Sequence, residues 1–209
     1  MKKINVIITG STGMIGKGVL LECLDHERVE KVLVVNRSSL GMSHPKLKEI
    51  ILKDFQRIGE LKEELKGYDA CYFCLGVSAL GMDEVKYSAI TFDITKSFAD
   101  VMYEVNPQMT FNYVSGEGTD STEASSMMWA RVKGKTENYV LNKGFAKATM
   151  FRPGGIIPEK GIKSSTAWYS IIYTLISPFY PLIKKMDSVT TTTKLGLAMI
   201  VSSFVDLSK

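Results

Sequence analysis

The chain has 209 residues, enough for one large domain. A composition of 45% hydrophobic and 23% charged residues excludes a disordered or fibrous chain. The net charge of +4 comes without a long basic run interleaved with aromatics, which argues against nucleic-acid binding, and three cysteines make no disulfide framework.

The chain opens on Met1-Lys2-Lys3 and passes at once into Ile4–Thr9, a β-branched run that predicts a strand. No apolar leader precedes it, so a reduced, cytoplasmic setting is expected. Residues 10–13 form a glycine-rich loop and residues 14–24 read as a helix. Residues 32–35 and 49–52 predict the second and third strands, the latter running out at Lys53-Asp54-Phe55. Residues 58–65 predict a short helix with Ile58, Leu61 and Leu65 on one face. The fourth strand, 70–75, contains Cys71 and Cys74. Their offset of three puts them on opposite strand faces, so they read as buried thiols rather than a redox or metal pair.

A long helix over 83–105 is expected, stopped by Asn106-Pro107. Thr110–Val114 is a fifth strand, 125–141 a helix with Gly144 beyond its end, 148–151 a sixth strand, and 194–205 a final helix. Strands alternating with helices predict an α/β fold: a doubly wound, Rossmann-type parallel sheet with helices on both faces. The chain is expected to be one domain over 1–209, with 158–209 as a small C-terminal substrate or interface region. Stretch 164–183 carries no charge and holds Trp168, Tyr169, Tyr173, Phe179 and Tyr180. Pro178 and Pro181 interrupt it, so it reads as pocket lining or a subunit interface rather than a membrane span.

Right-handed crossovers place every loop after a strand at one edge of such a sheet, where ligands bind. The first of these loops is Thr9-Gly10-Ser11-Thr12-Gly13-Met14-Ile15-Gly16, with spacing GxxGxxG. Gly10 permits a tight turn, Gly13 lets backbone approach a pyrophosphate, and Gly16 lets the helix pack closely on the sheet. The helix N-terminus offers N–H groups and partial positive charge. Gly10, Ser11, Thr12, Gly13, Met14, Ile15 and Gly16 are therefore expected to hold the pyrophosphate of a nicotinamide cofactor. The second strand ends in Asn36-Arg37-Ser38-Ser39, without the carboxylate that NAD-selective sites use for the ribose 2′-hydroxyl. Arg37 attracts a 2′-phosphate, which predicts NADP in preference to NAD. Asp54 is placed either to accept from the adenine amino group or to cap a helix. Leu75, Gly76, Ser115, Pro153, Gly154 and Ile156 follow later strands and extend the cofactor-binding edge. No metal-ligand pattern occurs.

TGSTGMIGKG at 9–18, VVNRSS at 34–39, CLG at 74–76, FNYVSGEGTDS at 111–121, VKGKTE at 132–137 and FRPGGII at 151–157 together carry a family resemblance. The chain resembles the atypical short-chain dehydrogenase/reductases. It is nearest the NAD-dependent epimerase/dehydratase and NmrA-like groups and the Tat-interacting-protein-like oxidoreductase branch. The resemblance covers residues 3–157 and implies NAD(P) binding and hydride transfer. It also implies a Tyr four residues before a Lys on one helix face, the Lys binding ribose and the Tyr passing a proton. Lys133 matches that Lys, but the position four before it is Trp129, whose indole only donates. Trp129 is left either to stack on the nicotinamide or to pack on the helix face. Ser115 matches the strand-end serine and is followed by Gly116 where many relatives carry a second serine.

Two functions follow. One is an NADP-dependent oxidoreductase acting on a small carbonyl or alcohol with Ser115 and Lys133. The other is a catalytically impaired NADP(H) sensor that docks a regulatory protein. Epimerase or dehydratase chemistry on a nucleotide sugar is disfavoured, since only about fifty residues follow Ile157. Many such relatives pair through their long helices, so a homodimer is compatible with this reading.

Overall fold

The structure is a computed structural model that describes residues 2–162 and 188–205. The aromatic stretch 164–183 lies outside the described residues. Six strands build the main sheet: β1 (Ile4–Thr9), β2 (Val29–Asn36), β3 (Leu47–Ile51), β4 (Ala70–Phe73), β5 (Thr110–Val114) and β6 (Lys147–Phe151). All pairs are parallel, in the order β3-β2-β1-β4-β5-β6. The order reverses between β1 and β4, where a doubly wound sheet opens its ligand crevice. Thr9 pairs with Val35 on one side and Phe73 on the other, so three strands end level at that crevice.

The inner strands are apolar on both faces because both are covered. Val6, Ile8, Val32, Val34, Ala70 and Tyr72 meet α1 (Met14–Asp25) and the C-terminal helix, whereas Ile7, Leu33, Cys71, Phe73 and Phe111 meet the helices opposite. Cys71 and Cys74 do pack against different clusters, and all three cysteines are free. Burial pushes the Cys74 thiol up to about 12, so it stays protonated and unreactive near neutral pH.

Several predicted elements shift. The long helix is broken into α2 (Glu84–Ser88), a π-helical turn over Ala89–Asp93 and α3 (Ile94–Val105). The Thr95 hydroxyl donates to the Thr91 carbonyl at 2.6 Å inside this turn, the back-bonding that bends helices. The helix expected from residue 125 begins later, as α4 (Met128–Leu141). Asp120 explains the delay: its carboxylate accepts from the Thr122, Ala124 and Ser125 amides and holds the preceding segment as a loop. The helix expected over 58–65 is a 3₁₀ stretch, Phe55–Leu61, which still buries Ile58. Two three-residue strands, β7 (Gly155–Ile157) and β8 (Val189–Thr191), pair in parallel beside the main sheet. They are too short to show periodicity.

The final helix, α5 (Thr192–Ser202), lies against α1 rather than forming a separate lobe. Asn112 of β5 donates to the Met199 carbonyl and to Ser202 Oγ, which ties α5 to the sheet. Glycines allow the close α1–α5 approach. A Cβ on Gly18 would stand 2.5 Å from Thr192 Cβ, and one on Gly196 would stand 2.7 Å from Glu22 Cγ. Gly18→Val is expected to destabilise the protein by about 2 kcal/mol through overpacking, read as a lower denaturation midpoint in urea.

Candidate functional site

The glycine-rich loop sits at the crevice. Gly10 has φ +69°, and a Cβ there would lie 2.7 Å from the Cys74 carbonyl group and Leu75 N. It therefore serves both the turn and the contact with the β4 loop. The Gly13 amide donates to the Gly10 carbonyl at 2.9 Å. A Cβ on Gly16 would be 2.2 Å from that same carbonyl oxygen. The closeness at Gly16 is thus to the loop itself, which corrects the expectation of sheet packing. Gly13 differs: its Cβ would meet only the Gly10 oxygen, at 3.3 Å. Gly13 caps α1 with no side-chain acceptor, and no carboxylate lies in the first turn, so the positive helix end is left open. Met14 and Ile15 pack against the core, so their side chains are structural.

A cavity of about 530 Å³ opens beside the loop, lined by Ser11, Thr12, Lys17, Ser38, Ser39 and Lys160, among others. Ser11 Oγ donates to Asn36 Oδ1 at 2.9 Å, and Asn36 Nδ2 donates to Glu49 at 3.1 Å. Glu49 also accepts from Ser39 Oγ at 2.7 Å and the Leu40 amide at 2.9 Å. Burial raises the Glu49 carboxyl, but these donors outweigh it and hold it below its usual range. Glu49 is a site residue that sequence reasoning missed: an acidic residue within a strand pattern carries no sign that it will order a loop. Arg37 is exposed and its guanidinium lies 5.8 Å from the Phe55 ring centre, outside the cavity lining. Asp54 takes the capping role: its carboxylate accepts from the Gln56 amide at 3.0 Å.

A second cavity, about 590 Å³, lies past the end of β4. Val77, Leu80, Tyr87, Met128, Trp129 and Lys133 form much of its wall. Lys133 Nζ donates to the Ser115 carbonyl, and a Cβ on Gly116 would be 3.8 Å from Nζ. Burial pushes Lys133 down to about 8, partly offset by Glu137. The Trp129 ring edge would stand 3.1 Å from a Cβ on Gly118, which has φ +82°. A Cβ on Gly134 would fall 1.7 Å from the Asp120 carbonyl oxygen. That contact explains the glycine beside Lys133: the loop crosses α4 on bare backbone.

Ser115 is turned elsewhere. Its hydroxyl donates to Glu137, which is 1% exposed, and Ser115 does not line the Lys133 cavity. Glu137 also holds Arg152, whose Nε donates at 2.9 and 3.1 Å. In this arrangement a buried carboxylate claims the Ser115 hydroxyl. Ile156 is buried in the core, where β7 pairs with β8. Pro153 and Gly154 line a third opening, about 380 Å³, with Arg152 and Lys194. Leu75 packs on the second core cluster and Gly76 is exposed.

This is the parallel sheet and glycine-rich loop of a Rossmann fold, and comparison with known proteins agrees. Over 170 residues the chain is 25% identical to protein HTATIP2 of Rattus norvegicus, covering 80% of this chain and 69% of that protein. It is 24% identical over 160 residues to the mitochondrial protein FMP52 of Meyerozyma guilliermondii, covering 74% and 66%. The chain is thus similar in sequence to HTATIP2 and FMP52. No family model matches it. Among solved structures it resembles Gre2 of Candida albicans in its NADPH complex, with TM-score 0.73, 16% identity and coverage of 99% and 76%. It also resembles WbmH of Bordetella bronchiseptica with NAD+, with TM-score 0.71, 15% identity and coverage of 96% and 72%. These likenesses establish the Rossmann fold. The name of the yeast relative points to mitochondria, so it lends no support to the cytoplasmic expectation. Among the described residues, no helix is long and apolar enough to cross a membrane, and no His, Cys, Asp and Glu group could hold a metal.

Proposed function

We propose that the protein is an NADP(H)-dependent oxidoreductase acting on a small carbonyl or alcohol. One observation carries this reading. An open helix N-terminus at Gly13 and a cavity walled in part by Lys133 both sit at the carboxyl edge of a doubly wound sheet. The residues fit a nicotinamide dinucleotide. Gly13 leaves unfilled the space that a pyrophosphate needs, and the first turn of α1 carries no opposing charge. Gly10–Gly16 backbone would hold the pyrophosphate, and Lys133 the nicotinamide ribose. When bound, the cofactor supplies or takes up hydride.

Cations support the choice of NADP. Lys17 lines the cavity beside Ser38 and Ser39, and Arg37 projects from the same strand end. Their charges favour a 2′-phosphate over a bare hydroxyl. Arg37→Ala is expected to weaken NADPH binding about tenfold, for the loss of one charge-assisted contact, with NADH affinity unchanged. Fluorescence titration of both cofactors tests this, and equal affinity of the native protein for the two would sink the NADP assignment.

Trp129 favours a second reading, a protein that binds NADP(H) and signals to a partner without turnover. The indole has no proton to exchange near neutral pH. Screening NADPH oxidation against aldehydes, ketones and quinones separates the two readings: turnover of any of them excludes a pure sensor.

A further inference from the structure

We propose that Lys133 itself delivers the proton to the carbonyl oxygen of the substrate. The proposal rests on the oxidoreductase reading above and concerns which group completes the reaction. The cavity wall is mainly apolar: Val77, Leu80, Met128 and Trp129 contribute no group that titrates near neutral pH. Among the described lining residues only Lys133 and Tyr87 are titratable.

Tyr87 is the weaker donor. It is 1% exposed, and burial pushes its phenol above the usual range. A raised pKa makes it slow to give up a proton. Ser115 is already bound to Glu137.

Lys133 has reach, room and the right acidity. Its Nζ spends one N–H on the Ser115 carbonyl and keeps two for a ribose and a substrate oxygen. Gly116 places no side chain at the spot 3.8 Å from Nζ, so that residue leaves room beside the ammonium. Its pKa near 8 leaves it mostly protonated at neutral pH and ready to release a proton. Among the described residues, the charged and titratable groups tied to it are Glu137 on the same helix, Arg152 beyond Glu137, and the phenol of Tyr87 in the same cavity wall.

The carbonyl carbon accepts hydride from the reduced nicotinamide. The electron pair of the C=O π bond moves to oxygen, which takes H⁺ from Nζ. The products are an alcohol, the oxidised nicotinamide and a neutral Lys133 amine, which regains its proton from solvent.

Two measurements test the proposal. Side-chain NMR of [¹⁵N]lysine protein, with Lys133→Arg assigning the signal, should give a titration midpoint near 8. A midpoint above 10 would overturn the proposal. In kinetics, reduction should slow as pH rises through the same value. Lys133→Met should lower kcat by about 100-fold or more, the usual range for a lost general acid. Trp129→Tyr should move the alkaline limb of the pH profile upward by offering a second donor, whereas Tyr87→Phe should leave its midpoint in place. Lys133→Met that keeps kcat within a few-fold removes the proton role alone. Failure of the native protein to bind NADPH overturns the reading on which the role depends.

Discussion

Gly16→Ala is expected to lower both the melting temperature and the affinity for NADPH, whereas Gly13→Ala is expected to lose the affinity alone. The reason is what each new methyl group meets. At Gly16 it would lie 2.2 Å from the Gly10 oxygen and 2.6 Å from the Gly10 carbonyl carbon. Both are backbone, and Gly10 cannot retreat because its own Cβ position lies 2.7 Å from the Cys74–Leu75 backbone. The loop must shift as a whole. Overpacking of this kind costs about 1–3 kcal/mol, or roughly 5 °C in melting temperature for a chain of this size. At Gly13 the only contact is 3.3 Å, and φ is an ordinary −84°. The fold should accept that methyl within a degree or two. Its effect falls on the ligand, because it fills space at the open end of α1. A loss of about tenfold or more in NADPH affinity is expected, equivalent to about 1.4 kcal/mol. Differential scanning calorimetry and fluorescence titration on both variants separate the two effects. Unchanged NADPH affinity in Gly13→Ala would remove the pyrophosphate from this loop.

The contrast shows why this part of the site was legible in the sequence. Glycine spacing after a short apolar strand states a backbone requirement, and backbone geometry is local. The parallel sheet was legible for a related reason: strands buried on both faces must be apolar throughout, as Val6, Ile7 and Ile8 are. What was illegible depends on side chains meeting across distance. Glu49 organises Asn36, Ser39 and Leu40 from another strand. Ser115 is taken by Glu137, 22 positions further along. The π turn accompanies one threonine hydroxyl bonding back along its own helix, a choice that composition does not reveal. Lys133 and Trp129 lie between these cases: their spacing is local, but their cavity depends on the β4 loop and α2 arriving at the same place.

Glu137→Ala is expected to act on stability and on Lys133 together. Glu137 is 1% exposed and accepts from both the Ser115 hydroxyl and the Arg152 guanidinium. Truncation leaves both donors without their acceptor. Removing one member of a buried pair costs about 3–5 kcal/mol, and the partial exposure of Arg152 places this case near 3. The second effect has a definite sign. The Glu137 carboxylate raises the pKa of Lys133 against the lowering effect of burial. Without it the ammonium loses its nearest countercharge, and its titration midpoint should fall below 8. Reduction rates should then begin to decline at a lower pH than in the native protein. Glu137→Gln keeps an oxygen for Ser115 or Arg152 but loses the charge. It should therefore recover much of the stability and none of the midpoint. Urea denaturation and the [¹⁵N]lysine titration, run on both variants, read the two effects separately. A Lys133 midpoint that stays fixed while stability falls would mean that Glu137 serves only to hold Ser115 and Arg152, with no electrostatic hold on the lysine.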